Sequence, residues 1–83
     1  MVMHRRPREL GQVVRSVNAF GEGLCVDFFR RPDGSFGFEE YRRDAESGEG
    51  WFPIGFYSER RFQTLAQAER DAMGYVAWLS DEM

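Results

Sequence analysis

The side chains best suited to chemistry lie in one short stretch, Arg31-Pro-Asp-Gly-Ser-Phe-Gly-Phe-Glu-Glu-Tyr-Arg-Arg-Asp44, with Asp27 just before it. Glu39 and Glu40 are adjacent, and a pair of carboxylates can share the general-acid and general-base roles of a hydrolase. On an extended strand, however, neighbours point to opposite faces, so these two cannot serve one substrate. Glu40 falls on the core side near its rim, where Arg42 can pair with it as a partly exposed structural ion pair. Asp27 and Glu39 are a different case. A hairpin that pairs Arg31 with Ser35 sets them directly across from one another, with Cβ atoms roughly 5 Å apart. Such a pair can hold a divalent cation, raise one another's pKa, or act as an acid pair on a sugar lying on nearby rings. The plain alternatives are that both are solvated or that the register is shifted by one residue.

Elsewhere the reactive repertoire is thin. His4 is the only histidine and Cys25 the only cysteine, so there is no Cys/His or Ser/His/Asp set and no zinc spacing. No glycine-rich phosphate loop is present either. The chain therefore reads as non-enzymatic, with no catalytic residue, metal or cofactor expected. Cys25 reads as a small strand residue, and a lone cysteine excludes an intrachain disulfide framework, which fits a reducing compartment. All 11 basic residues are arginine. The pairs Arg30/Arg31 and Arg60/Arg61 converge at the Pro32-Asp33-Gly34 end of the expected sheet, forming a candidate anion rim for a phosphate or an acidic partner. Asp33 and Glu59 are their available counter-charges.

These side chains need a scaffold, and 83 residues make one small domain that buries about 60–65% of its unfolded surface. Hydrophobic residues at 42% are ample for a core. Residues 1–9, polar, arginine-rich and broken by Pro7, read as a flexible basic arm, with a single α+β domain over 10–83. Residues 1–8 carry three arginines and no acid, leaving eight arginines against fourteen carboxylates in the rest. That acidic body argues against wrapping nucleic acid. No secretory signal and no run of about 20 apolar residues is seen, so a cytoplasmic protein with no membrane partner is expected.

Pro32-Asp33-Gly34 joins a strand over Leu24–Arg31 to one over Ser35–Asp44, because proline presets the first turn position and glycine accepts the left-handed one. This three-residue loop pairs Phe28 with Phe38, Asp27 with Glu39, and Phe29 with Gly37. A third long strand, Trp51 to Ser58, follows the turn at 45–50, and Pro53 makes it an edge strand. Leu10–Val17 suits either helix or strand, and Gly11 with the three valines favours a strand. Thr64-Leu-Ala-Gln67 reads as a capping box opening a helix to about Ser80, with Leu65, Ala68, Ala72, Val76 and Leu79 on one stripe. The fold class is α+β: an antiparallel β-meander of three to four strands with one C-terminal helix on one face.

Alternation sends Leu24, Val26, Phe28, Phe36, Phe38, Phe52, Ile54 and Phe56 toward the helix. Asp27, Phe29, Gly37, Glu39, Tyr41, Trp51, Gly55 and Tyr57 face outward. Phe29, Tyr41, Trp51 and Tyr57, with Asp27 and Glu39, thus form a candidate interaction face, and an aromatic ring beside Gly37 is a way to cover bare backbone.

The segments RPDGSFGFEEYRRD and GWFPIGFYS, with the later AQAERDA and VAWL, resemble an uncharacterised family of small bacterial proteins built as a strand meander plus helix. More remotely, the order of strands, Tyr-Ser and helix is similar to the unit repeated in YegP-like proteins. The resemblance implies a fold and supplies no catalytic residues. The expected function is a non-enzymatic protein-interaction module using the outer sheet face, on a partner protein or a second copy as a homodimer. The alternative is single-stranded nucleic-acid or polyanion binding through sheet aromatics and the arginine arm, which Asp27 and Glu39 oppose.

Overall fold

A computed structural model describes residues 11–19, 21, 23–44 and 50–83. The arm expected over residues 1–9, and residues 45–49 of the turn before Gly50, lie outside the described residues. Strands β1 (Gln12–Asn18), β2 (Leu24–Arg30), β3 (Phe36–Asp44) and β4 (Gly50–Pro53) form one antiparallel sheet in that order, followed by helices α1 (Leu65–Tyr75) and α2 (Leu79–Glu82). The α+β meander expected from the sequence is the observed architecture, and the ambiguous first segment is a strand.

The turn between β2 and β3 fixes the register of the sheet. Arg31 N–H donates to the Ser35 carbonyl at 2.8 Å and Gly34 N–H donates to the Arg31 carbonyl at 2.9 Å, with Gly34 at φ 90°. The Asp33 carboxylate accepts from Ser35 N–H at 2.9 Å and from the Ser35 hydroxyl at 2.7 Å, closing the turn a second time. Phe28 consequently faces Phe38, Asp27 faces Glu39 and Phe29 faces Gly37, as the turn type requires.

On the helix side, Val17, Val26, Phe28 and Phe38 pack with Ala68, Ala72, Val76 and Leu79 into one core. The capping residue Thr64 accepts from Gln67 N–H through its hydroxyl at 3.1 Å, and the Gln67 side chain accepts from Gln63 N–H at 3.0 Å. The helix does not run unbroken to Ser80. Val76 leaves helical geometry at φ −107° and ψ 103°, yet its N–H still donates to the Ala72 carbonyl. This break lets Val76 and Leu79 both reach the core, and Trp78 turns so that its indole N–H donates to Glu40 at 2.9 Å. Glu40 therefore bonds Trp78, while Arg42, its expected partner, is exposed.

The third long strand is shorter than expected, ending at Pro53 instead of Ser58. Ile54 N–H still donates to the Glu40 carbonyl at 2.9 Å, after which the chain leaves β3 and returns through a single bridge between Phe36 and Phe62. Phe56 adopts a left-handed φ of 58°, which inverts the strand alternation. Tyr57 takes the inward place, its ring 5.1 Å from that of Phe38, while Ile54 and Phe56, expected in the core, are 40% and 76% exposed. The Gly55 backbone lies against the Tyr57 ring where a Cβ would collide, so this local path needs glycine.

Truncating the two phenylalanines should separate core from surface. Phe38→Ala is expected to cost about 3–5 kcal/mol in urea unfolding, and Phe56→Ala to change stability by less than about 0.5 kcal/mol.

Candidate functional site

The outer sheet face is closed where the sequence placed an open platform. Asp27, Phe29, Glu39 and Tyr41 are all buried, at 2% exposure or less. Trp51 is half-buried, and Tyr57 lies on the opposite side of the sheet, against Phe38. Four of the six residues assigned to a docking face are thus interior, and a fifth faces the other way. Strand alternation sets the side of the sheet a residue occupies but carries no information on what covers that side.

Asp27 and Glu39 do stand opposite one another, but each is committed elsewhere. Asp27 accepts from the Ser16 hydroxyl of β1 at 2.6 Å and from the Cys25 thiol at 3.3 Å. Glu39 reaches the other way, to the loop after β4. One carboxylate oxygen accepts from Glu40 N–H at 2.9 Å and Phe56 N–H at 2.7 Å, and the second accepts from Ser58 N–H at 3.1 Å. Among the described residues no three His, Cys, Asp or Glu side chains gather as a metal site.

Arg31 holds the same loop by its carbonyls. Its guanidinium donates to the carbonyls of Ser58, Arg60 and Phe36 and to the Ser35 hydroxyl. It lies 4.9 Å from the centre of the Phe29 ring, which covers Gly37. A Cβ on Gly37 would stand 2.8 Å from both the ring and the guanidinium, so glycine here lets these groups cross β3. Burial is the main reason the Arg31 guanidinium is held below the usual arginine range, with Arg61 acting in the same sense and Asp33 against it.

The expected anion rim is largely neutralised within the chain. Arg31 is only 8% exposed and spent on backbone carbonyls. Arg60 pairs with Asp71 at 2.8 Å and Arg61 with Asp33 at 2.7 Å, while Arg30 stays exposed. Arg31 and Arg61 do meet at the turn, as expected, but Asp33 meets them there.

What the fold offers to solvent is a different surface. Phe56 is exposed on the loop, and the ring of its neighbour Tyr57 packs at a tilt, 5.5 Å from that of Tyr75, which is 52% exposed near the end of α1. Arg60 lies 4.6 Å over the Tyr75 ring. Beside Tyr75 a hollow of about 410 Å³ runs along α1, lined by Phe62, Gln67, Arg70, Asp71, Gly74 and Tyr75. Burial first, then the charges of Glu40 and Glu39, push the Tyr57 phenol above its ordinary value. Strand alternation alone puts Phe56 in the core; proline and glycine two residues apart, at Pro53 and Gly55, are the signal that the strand stops early.

The fold and site together define a small α+β protein carrying a side-chain-clamped aromatic loop. Compared with protein-family models, curated proteins and solved structures, the chain matches none of them. No helix among the described residues is long and apolar enough to cross a membrane.

Removing the loop's acceptor should loosen the loop before the sheet. Glu39→Ala is expected to cost on the order of 3 kcal/mol, since it strands several amides at once. In hydrogen exchange Phe56 and Ser58 should lose protection while Phe28 and Phe38 keep theirs. The turn should be pH-sensitive. Bonds from Ser35, with the Arg61 charge, hold the Asp33 carboxyl below its ordinary value. The ionised form therefore favours the fold, fully above an unfolded pKa of about 3.9 and fading as pH falls through the lower folded value. Asp33→Ala should accordingly destabilise the protein at pH 7, with the gap to the native chain shrinking in strong acid.

Proposed function

We propose that the protein is a non-enzymatic protein-interaction module that docks on a protein partner through the aromatic loop around Phe56. One observation carries this reading: Phe56 is 76% exposed in a left-handed conformation while its amide is held by Glu39, itself 2% exposed. A bulky side chain in that conformation costs roughly 1–2 kcal/mol, and the core gains little from a ring directed at solvent. Strain retained at an exposed aromatic whose backbone is anchored is a feature of recognition sites, where preorganised anchors carry binding energy. Ile54 and Tyr75 add exposed apolar surface on either side in the chain. A cytoplasmic setting and kinship with the YegP-like unit belong to the same proposal.

The nucleic-acid alternative is less well supported. Stacking needs open rings, and Phe29 and Tyr41 are buried; phosphate contacts need free guanidinium groups, and Arg31, Arg60 and Arg61 are engaged. The arginine arm lies outside the described residues.

Photo-crosslinking in the source cell tests the reading. A benzoylphenylalanine replacing Phe56 should give discrete protein adducts, and the same group replacing exposed Val14 on β1 should not. Equal yields at both positions, or none at Phe56, would count against the loop as a docking element.

A further inference from the structure

This inference rests on Phe56 as a docking residue and names its partner: we propose that the loop binds a second copy of the chain about a two-fold axis, each Phe56 filling the other's hollow beside α1. The hollow suits a ring. Its apolar walls are Phe62 and Tyr75, and beyond the local helix backbone and the adjoining residues nothing lies within 4 Å of where a Cβ on Gly74 would stand, so an aromatic edge can come down onto bare helix backbone.

Charge favours the same occupant. Arg70 lines the hollow, exposed, and forms no ion pair among the described residues; Arg60, Arg61 and Arg15 each have a carboxylate of their own. Glu59, three residues beyond Phe56, is likewise exposed and in no ion pair among the described residues. A copy that delivers Phe56 to the hollow delivers a carboxylate toward Arg70 with it. The loop that carries Phe56 borders the hollow: Tyr57 packs 5.5 Å from Tyr75, and Arg60 lies over Tyr75 and pairs with Asp71, two residues of the hollow's lining. Loop and hollow therefore adjoin, the arrangement a closed two-fold pair needs if each copy is to give and receive the same contact.

Sheet-edge pairing is the other route to a dimer, and both edges discourage it. β1 is interrupted by a bulge at Val14, between the pairs Val13–Phe29 and Arg15–Phe28, and β4 ends at Pro53, which has no N–H to donate.

Sedimentation equilibrium of the full chain from about 5 µM to 1 mM tests this, a range suited to a small interface. The native chain should pass from monomer to dimer, and Phe56→Ala should remain monomeric, with an unfolding equilibrium constant within about twofold, or about 0.5 kcal/mol, of the native chain's at low micromolar concentration, where both are monomers. Glu59→Arg and Arg70→Glu should each weaken dimerisation by about tenfold or more, and the double variant should recover most of it by restoring opposite charges. A native chain monomeric throughout, a Phe56→Ala dimer of native strength, or a double variant no tighter than either single one would overturn the inference. A monomeric chain that still crosslinks through position 56 to a different protein would overturn this partner while leaving the loop's docking role standing.

Discussion

Between Pro53 and Phe62 the chain leaves the sheet without leaving the protein, and its peptide groups must find partners that β3 no longer supplies. A polar backbone group packed against the core without a partner costs far more than a hydrogen bond returns, so the path exists only if side chains replace the ladder. Two charges do so from opposite ends of the peptide dipole. Glu39 accepts from Phe56 and Ser58, and Arg31 donates to the carbonyls of Ser58 and Arg60. Ser58 is held by both.

The closed outer face follows from that arrangement. Arg31 reaches the loop by crossing β3 over Phe29 and Gly37, which is possible because Gly37 has no side chain. It starts from the right place because the Pro32-Asp33-Gly34 turn begins at Arg31. Glu39, turned toward the loop, is withdrawn from the carboxylate opposite, and Asp27 bonds Ser16 and Cys25 instead. What resembles an acid pair in the register is two separate structural acceptors.

The loop also decides the solvent surface. Its left-handed residue breaks the alternation, so Tyr57 joins Phe38 in the core and Phe56 is displayed to solvent. Tyr57 then supports Tyr75, and the break after α1 brings Val76, Trp78 and Leu79 down onto the sheet beyond it. An exposed ring on a clamped loop and an aromatic-walled hollow on α1 adjoin through Tyr57 and Arg60.

The α+β meander, the strand register through Phe28–Phe38 and Phe29–Gly37, the helix start at Thr64 and the stripe through Leu79 were all legible in the residues. Each depends on neighbours within a turn or two: the fixed φ of Pro32, the left-handed tolerance of Gly34, a side-chain period of 2.0 or 3.6. The fate of the carboxylates was not legible. Glu39 meets amides 17 and 19 residues away, and Glu40 meets an indole 38 residues away. Nor does alternation survive a single residue at positive φ, which is why Tyr57 is inside and Phe56 is left in solvent. Local sequence sets the direction a side chain leaves the backbone; only the packing of distant segments decides whether it arrives at water, a ring or a peptide group.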